Sequence, residues 1–280
     1  MTYKDFIADP ARRCAVVAHR GAWRTERQEP PENSLAALEG AIALGCDIVE
    51  VDVQQSVDGG LFLLHDDTLQ RMAGIAARAD TLTLNTLQRL TLRMGDGGAH
   101  RPMSRETIPS LDMVLETARG RVFLDLDVKD PAQISAVAAR VKALGMADQV
   151  DLKERVDSPA ARAWLAAQTG LDGIPFMGKA LFRAGDADAV AAEVIALRPC
   201  LCEAEFDALE TLAAQAERFR AAGIALWVNT LDPVASGGFT DTAATDDPDA
   251  VWGRLVAAGV SVIQTDAVEA FLAWARKRAS

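Results

Sequence analysis

No stretch of this sequence approaches the ~20 consecutive apolar residues of a membrane-spanning helix, so stable insertion into a bilayer is not expected. An apolar leader is not expected either. Met1–Pro10 mixes Lys4 with Asp5 and Asp9 and has no hydrophobic core, and the expectation is a soluble cytoplasmic protein. Positive charge is in short supply: 29 Lys and Arg against 40 Asp and Glu give a formal net charge of −11. A uniform negative field repels phosphates at long range, which argues against a general affinity for nucleic acid or anionic membrane. A phosphate substrate would need locally gathered cations or a metal ion. Cysteine is sparse as well. Cys14, Cys46, Cys200 and Cys202 sit in or beside apolar runs, and the Cys200-x-Cys202 spacing does not make a zinc knuckle, so buried free thiols are expected.

What is present is a chain of 280 residues with 50% hydrophobic content, enough to bury one large α/β core. Short β-rich runs alternate with Ala/Leu-rich helical segments, the pattern of parallel βαβ units. Eight such strands are predicted: Ala15–Ala18, Asp47–Val53, Val122–Val128, Gln149–Leu152, Gly173–Phe176, Leu201–Ala204, Ile224–Val228 and Val260–Gln264. Eight parallel strands with helices between them imply a single (β/α)8 barrel, one domain over residues 1–280. Asn33 or Ser34 can cap a helix over Leu35–Leu44, and Asp130-Pro131 and Ser158-Pro159 open two more. Residues 66–109 break the rhythm with Gly95, Gly97, Gly98 and Pro102, and read as an insertion after the second strand. The polar stretch Asp232–Asp249 reads as a mobile loop after the seventh strand.

The chemistry gathers at strand ends, where a barrel keeps its active site. The first strand runs into His19-Arg20-Gly21. The second finishes Glu50-Val51-Asp52, and strand alternation puts both carboxylates on one face with Val49, Val51 and Val53 on the other. The third ends Asp125-Leu126-Asp127-Val128-Lys129, adding further carboxylates and an ammonium on one face. Like charges held so close raise each other's pKa unless a cation lies between them, which points to a divalent metal. The competing explanation pairs the carboxylates with Arg20 or Lys129. His65-Asp66-Asp67 supplies a second histidine out of only three in the chain. Two histidines facing one substrate can share proton acceptance and donation, while Arg20 and Lys129 would hold a phosphate.

His19-Arg20-Gly21, Pro31-Glu32-Asn33-Ser34, Glu50-Val51-Asp52-Val53, Asp58-Gly59 and His65-Asp66 together resemble the signature of the glycerophosphodiester phosphodiesterase family. The match resumes at Ile108-Pro109-Ser110-Leu111 and Asp127-Val128-Lys129 and ends at Gln264-Thr265-Asp266. The resemblance implies a barrel with a small insertion, one Ca²⁺ or Mg²⁺ ion, and hydrolysis of a small-molecule glycerophosphodiester to glycerol 3-phosphate and an alcohol. It implies Glu50, Asp52 and Asp127 as metal ligands, His19 and His65 as the acid/base pair, and Arg20 and Lys129 as phosphate ligands. Asp127 stands where the family usually has Glu, one methylene shorter. Trp227, in the seventh strand, is a candidate apolar wall for the substrate or a packing residue. Lys153, Glu203 and Glu205 are secondary candidates that ion pairing explains equally well. A metal-dependent barrel lyase or aldolase, or a non-catalytic binder of a phosphorylated ligand, are the competing functions.

Overall fold

A computed structural model describes residues 1–278. Among them run eleven strands: β1 (Ala15–Ala18), β2 (Ile48–Gln55), β3 (Leu61–Leu63), β4 (Thr91–Arg93), β5 (Met103–Thr107), β6 (Phe123–Val128), β7 (Val150–Arg155), β8 (Phe176–Phe182), β9 (Leu201–Phe206), β10 (Ala225–Asn229) and β11 (Val260–Thr265). Eight of them, β1, β2 and β6 to β11, follow one another in a single sheet, and β1 also pairs with β2. That closes the expected (β/α)8 barrel. Strand β3 joins β2 in antiparallel register, and β4 with β5 forms a separate two-stranded sheet. Contacts divide the chain into two compact units, residues 18–150 and residues 1–17 with 151–280.

In the unit of residues 18–150, Ser34 caps the helix Leu35–Leu44 by accepting the Ala37 N–H, so of the two expected caps it is Ser34 that serves. Gly21 is confined by that helix: its φ is +82°, and a Cβ there would lie 2.7 Å from the Ala37 carbonyl carbon. Only glycine lets the chain turn this tightly after β1. The inserted residues fold into their own small body. Helices Gln70–Ala73 and Leu84–Leu87 and the β4–β5 pair enclose buried Phe62, Leu69, Met72, Leu87, Leu92 and Ile108. These two short strands were not read from the sequence because their residues are largely polar or exposed.

In the other unit, β8 begins at Phe176, where the predicted Gly173–Phe176 strand was to end. Gly178 and Lys179 interrupt the apolar run, yet Gly178 fits because a Cβ would come within 2.8 Å of Val156 Cγ2. Asp232–Asp249 is not the bare loop expected. It contains the helix Asp241–Asp246, pinned by Asp241, whose buried carboxylate accepts from the Thr230 and Thr265 hydroxyls (2.5 and 2.6 Å) and the Asp266 N–H (2.7 Å). Three donors offset the burial that polarity alone seemed to forbid. All four cysteines are free thiols.

Candidate active site

Strands β2 and β6 pair in parallel with Glu50 opposite Asp125 and Asp52 opposite Asp127. Alternation sends all four carboxylates to one face, while Val49, Val51 and Val53 pack on the other. Adjacent strands lie about 4.8 Å apart, so this register places like charges side by side, an arrangement that weakens a sheet unless something neutralises it. Glu50, Asp52 and Asp127 each offer an oxygen within 4.8 Å of the others. At that separation each charge pair repels by roughly 3 kcal/mol at an effective dielectric of about 20. Glu50 and Asp52 are almost completely buried, at 2% and 1% exposure.

Two cations answer part of this charge. Arg20 approaches Asp52 through Nε (3.1 Å), and Lys129 approaches Asp52 (3.3 Å) and Asp127 (3.6 Å). Burial pushes the Asp52 pKa up, but Arg20 and Lys129 outweigh it and hold the carboxyl below its ordinary range. Burial pulls the Lys129 ammonium down, and Asp52, Asp127 and Glu50 together raise it above its usual value. The ion-pairing alternative is therefore real. Three converging carboxylates meet two cations, and Arg20 is shared with Glu32. A cluster of hard oxygen donors with residual negative charge fits a divalent cation such as Ca²⁺ or Mg²⁺.

Backbone placement fixes these groups before any ligand arrives. Arg20 and Asn33 both adopt left-handed conformations (φ +55°), uncommon for residues with a side chain. The Asn33 N–H donates to the Arg20 carbonyl (3.0 Å), and the Arg20 N–H donates to Glu50 Oε2 (3.0 Å). Asn33 Nδ2 donates to Asp52 Oδ2 (2.7 Å), and its Oδ1 accepts the Asp52 N–H (3.0 Å). Asn33 is thus a positioning group for Asp52 that sequence reasoning took for a possible helix cap. The motif Pro31-Glu32-Asn33-Ser34 was the available signal.

His65 follows β3 and is partly exposed, with its Nδ1 2.8 Å from Asp66 Oδ1. Gln54, the next inward residue of β2, donates from Nε2 to the Leu64 and Asp66 carbonyls on either side of the histidine (2.6 and 2.9 Å). His19 lies immediately after β1, half-buried and beside Arg20 in the chain. Both histidines fall in the same unit as the carboxylates. A bidentate pair of hydrogen bonds from Arg71 holds the Asp66 carboxyl far below its ordinary pKa. Arg71 also reaches Glu32 (2.7 Å), a link from the insertion to the segment after β1 that no sequence signal had singled out.

The remaining candidates lie in the other unit, in a different environment. Trp227 is completely buried and donates its indole N–H to Asn229 Oδ1 (2.7 Å). Glu203 meets Lys153 and Lys179 at 3.6 Å each and accepts from Asn229 (3.1 Å), while Glu205 is bound by Arg155 (2.7 Å).

A family described as a domain of unknown function matches residues 176–275. A glycerophosphodiester phosphodiesterase of Caldanaerobacter subterraneus subsp. tengcongensis is 33% identical over 115 residues, which is 41% of this chain and 44% of that protein. The match therefore spans less than half the length of that curated relative. Among solved structures, the glycerophosphodiester phosphodiesterase from Agrobacterium tumefaciens is 26% identical over 92% of this chain and 99% of its own, with a TM-score of 0.66. An Oleispira antarctica phosphodiesterase, solved in complex with the product sn-glycerol-3-phosphate, shares the fold at a TM-score of 0.66 and 21% identity, covering 95% of this chain and 97% of its own. No helix among the described residues is long and apolar enough to cross a membrane.

Proposed function

We propose that the chain is a glycerophosphodiester phosphodiesterase, as its similarity to the proteins of that name supports, and that it hydrolyses small, water-soluble glycerophosphodiesters to glycerol 3-phosphate and an alcohol. The observation that carries this reading is the convergence of Glu50, Asp52 and Asp127 within 4.8 Å beside Arg20 and Lys129. The three carboxylates would hold one divalent cation, Ca²⁺ or Mg²⁺. Such an ion neutralises phosphate charge and polarises a phosphoryl oxygen.

The side chains then divide the work. Arg20 and Lys129 bind the anionic diester and offset the charge that grows on its oxygens as water adds to phosphorus. His65, with Nδ1 turned to Asp66, keeps Nε2 for proton transfer, and His19 is the second acid/base group. One imidazole takes a proton from the attacking water, and the other gives one to the departing alcohol oxygen as the P–O bond breaks. Trp227 has no substrate contact in this scheme, since its side chain is enclosed. A cytoplasmic site of action suits diesters already stripped of their acyl chains.

The test is release of glycerol 3-phosphate from glycerophosphocholine and glycerophosphoethanolamine, by protein stripped of metal and then loaded with Ca²⁺ or Mg²⁺. Release is expected only with metal. Undiminished release under thorough chelation, or none from any diester with either metal, would overturn the proposal.

A further inference from the structure

Arg71 lies outside the group of residues assigned to metal, phosphate or proton transfer, yet its guanidinium joins two of them. Its Nε donates to Asp66 Oδ2 (2.8 Å), and its Nη2 donates to both Asp66 Oδ1 (2.8 Å) and Glu32 Oε1 (2.7 Å). Nη1 donates to the Asp96 carbonyl (2.5 Å), which fixes the fork to the inserted segment. On one side, Asp66 Oδ1 also meets His65 Nδ1 at 2.8 Å. On the other, both oxygens of buried Glu32 accept from Arg20 Nη1 (3.0 Å each), and the Glu32 N–H is held by the Gly95 carbonyl (3.0 Å). A continuous chain of charge-assisted bonds runs His65, Asp66, Arg71, Glu32, Arg20.

We propose that Arg71 is a positioning residue through which the inserted segment sets the orientation of His65 and the placement of Arg20 together. The inference rests on the hydrolase reading of the site. With Asp66 clamped in bidentate fashion by Arg71, its Oδ1 stays fixed as an acceptor for His65 Nδ1–H, and that tautomer leaves Nε2 bare for proton transfer. With Glu32 clamped by the same fork, Arg20 cannot swing away from the phosphate position. A lysine carries the charge but is a single point donor, and it cannot span both carboxylates in this geometry.

The experiment is a kinetic cycle combined with imidazole nitrogen NMR. Arg71→Ala should lower kcat by about 10- to 100-fold and raise KM by several-fold, with Arg71→Lys recovering only part of either. In a His65→Ala background the kcat effect of Arg71→Ala should shrink to within about threefold, and in an Arg20→Ala background its KM effect should vanish, because groups acting through one another are not additive. A merely structural ion pair would keep the same effect in every background. Only three histidines need assigning, and the parent should show His65 as the Nδ1–H tautomer, lost in Arg71→Ala. Should Arg71→Ala fail to fold, Arg71→Lys carries the same comparison. Retention of that tautomer, or a kcat effect undiminished in the His65→Ala background, overturns the proposal. If the parent cleaves no diester, the hydrolase reading fails while the NMR measurement still decides the role of Arg71.

Discussion

Two sets of inward strand residues in this molecule start from similar sequence and end in opposite electrostatic states. On β2 and β6, Glu50, Asp52, Asp125 and Asp127 stand in register against two cations, and one of those cations is shared with Glu32. On β7 to β10, Asp151, Lys153, Lys179 and Glu203 include as many ammonium groups as carboxylates, and Glu203 touches both lysines. Trp227 and Tyr3 in the same unit are completely buried. Charge at a strand's inward face is thus not a mark of chemistry by itself. A local convergence of carboxylates is the more telling feature, because the sheet must bear their mutual repulsion.

If that distinction is sound, changes in the two sets should fail in different ways. The largest effect is expected at the histidines. His19→Ala and His65→Ala should each lower kcat on a cleaved diester by about 10²- to 10⁴-fold, with the urea unfolding midpoint nearly unchanged. The double variant should be little worse than the worse single one, since the pair acts as a unit. Glu203→Gln should do the reverse. It strands the buried Lys153 ammonium and should lower stability by about 3–5 kcal/mol, read by urea denaturation, while the folded fraction keeps kcat within about threefold of the parent. Equal losses of turnover and stability in both variants would erase the distinction.

A smaller effect concerns pH. Burial, with Glu203 nearby, pushes the Asp151 carboxyl up to about 7, against the opposing pull of Tyr3 and Lys153. A carboxyl whose folded pKa is raised binds an extra proton in the folded state between its unfolded value of 3.8 and about 7. Stability from this group therefore rises as pH falls through that window and is lowest above it. Asp151→Asn should remove this dependence, stabilising the protein relative to the parent by about 1–3 kcal/mol at pH 8 and by little at pH 4. Denaturant titrations at the two pH values check it, and identical pH dependence in parent and variant would count against it.

Much of the fold could be read from periodicity because its barrel strands are apolar runs bounded by clear helix signals. The helix Leu35–Leu44 matched to the residue, and seven of the eight strands overlapped their predicted ranges through most of their length. Strand β8 slipped because Gly178 and Lys179 look like breakers until the close approach of Val156 is known. Asp241 misled for a related reason: its three donors come from residues 11 to 25 positions away, which no local pattern displays. At the candidate site, alternation was enough to gather Glu50, Asp52 and Asp127, because period-two spacing is a local property. Asn33, Glu32 and Arg71 act across gaps of 12 to 39 residues, and only tertiary structure joins them. The Asp at position 127 lies in the carboxylate cluster although it is one methylene shorter than the Glu that the resemblance leads one to expect.

The distinction between a carboxylate-rich cluster and a charge-balanced one is tested most directly by calorimetric titration of Ca²⁺ or Mg²⁺ into chelator-treated protein, with Glu50→Gln alongside the parent. One equivalent of cation should bind the parent, and binding should be abolished or weakened at least about tenfold, some 1.4 kcal/mol, in Glu50→Gln. A parent that binds neither ion, or a Glu50→Gln protein that binds as the parent does, would contradict the assignment of the β2 and β6 carboxylates as a metal site.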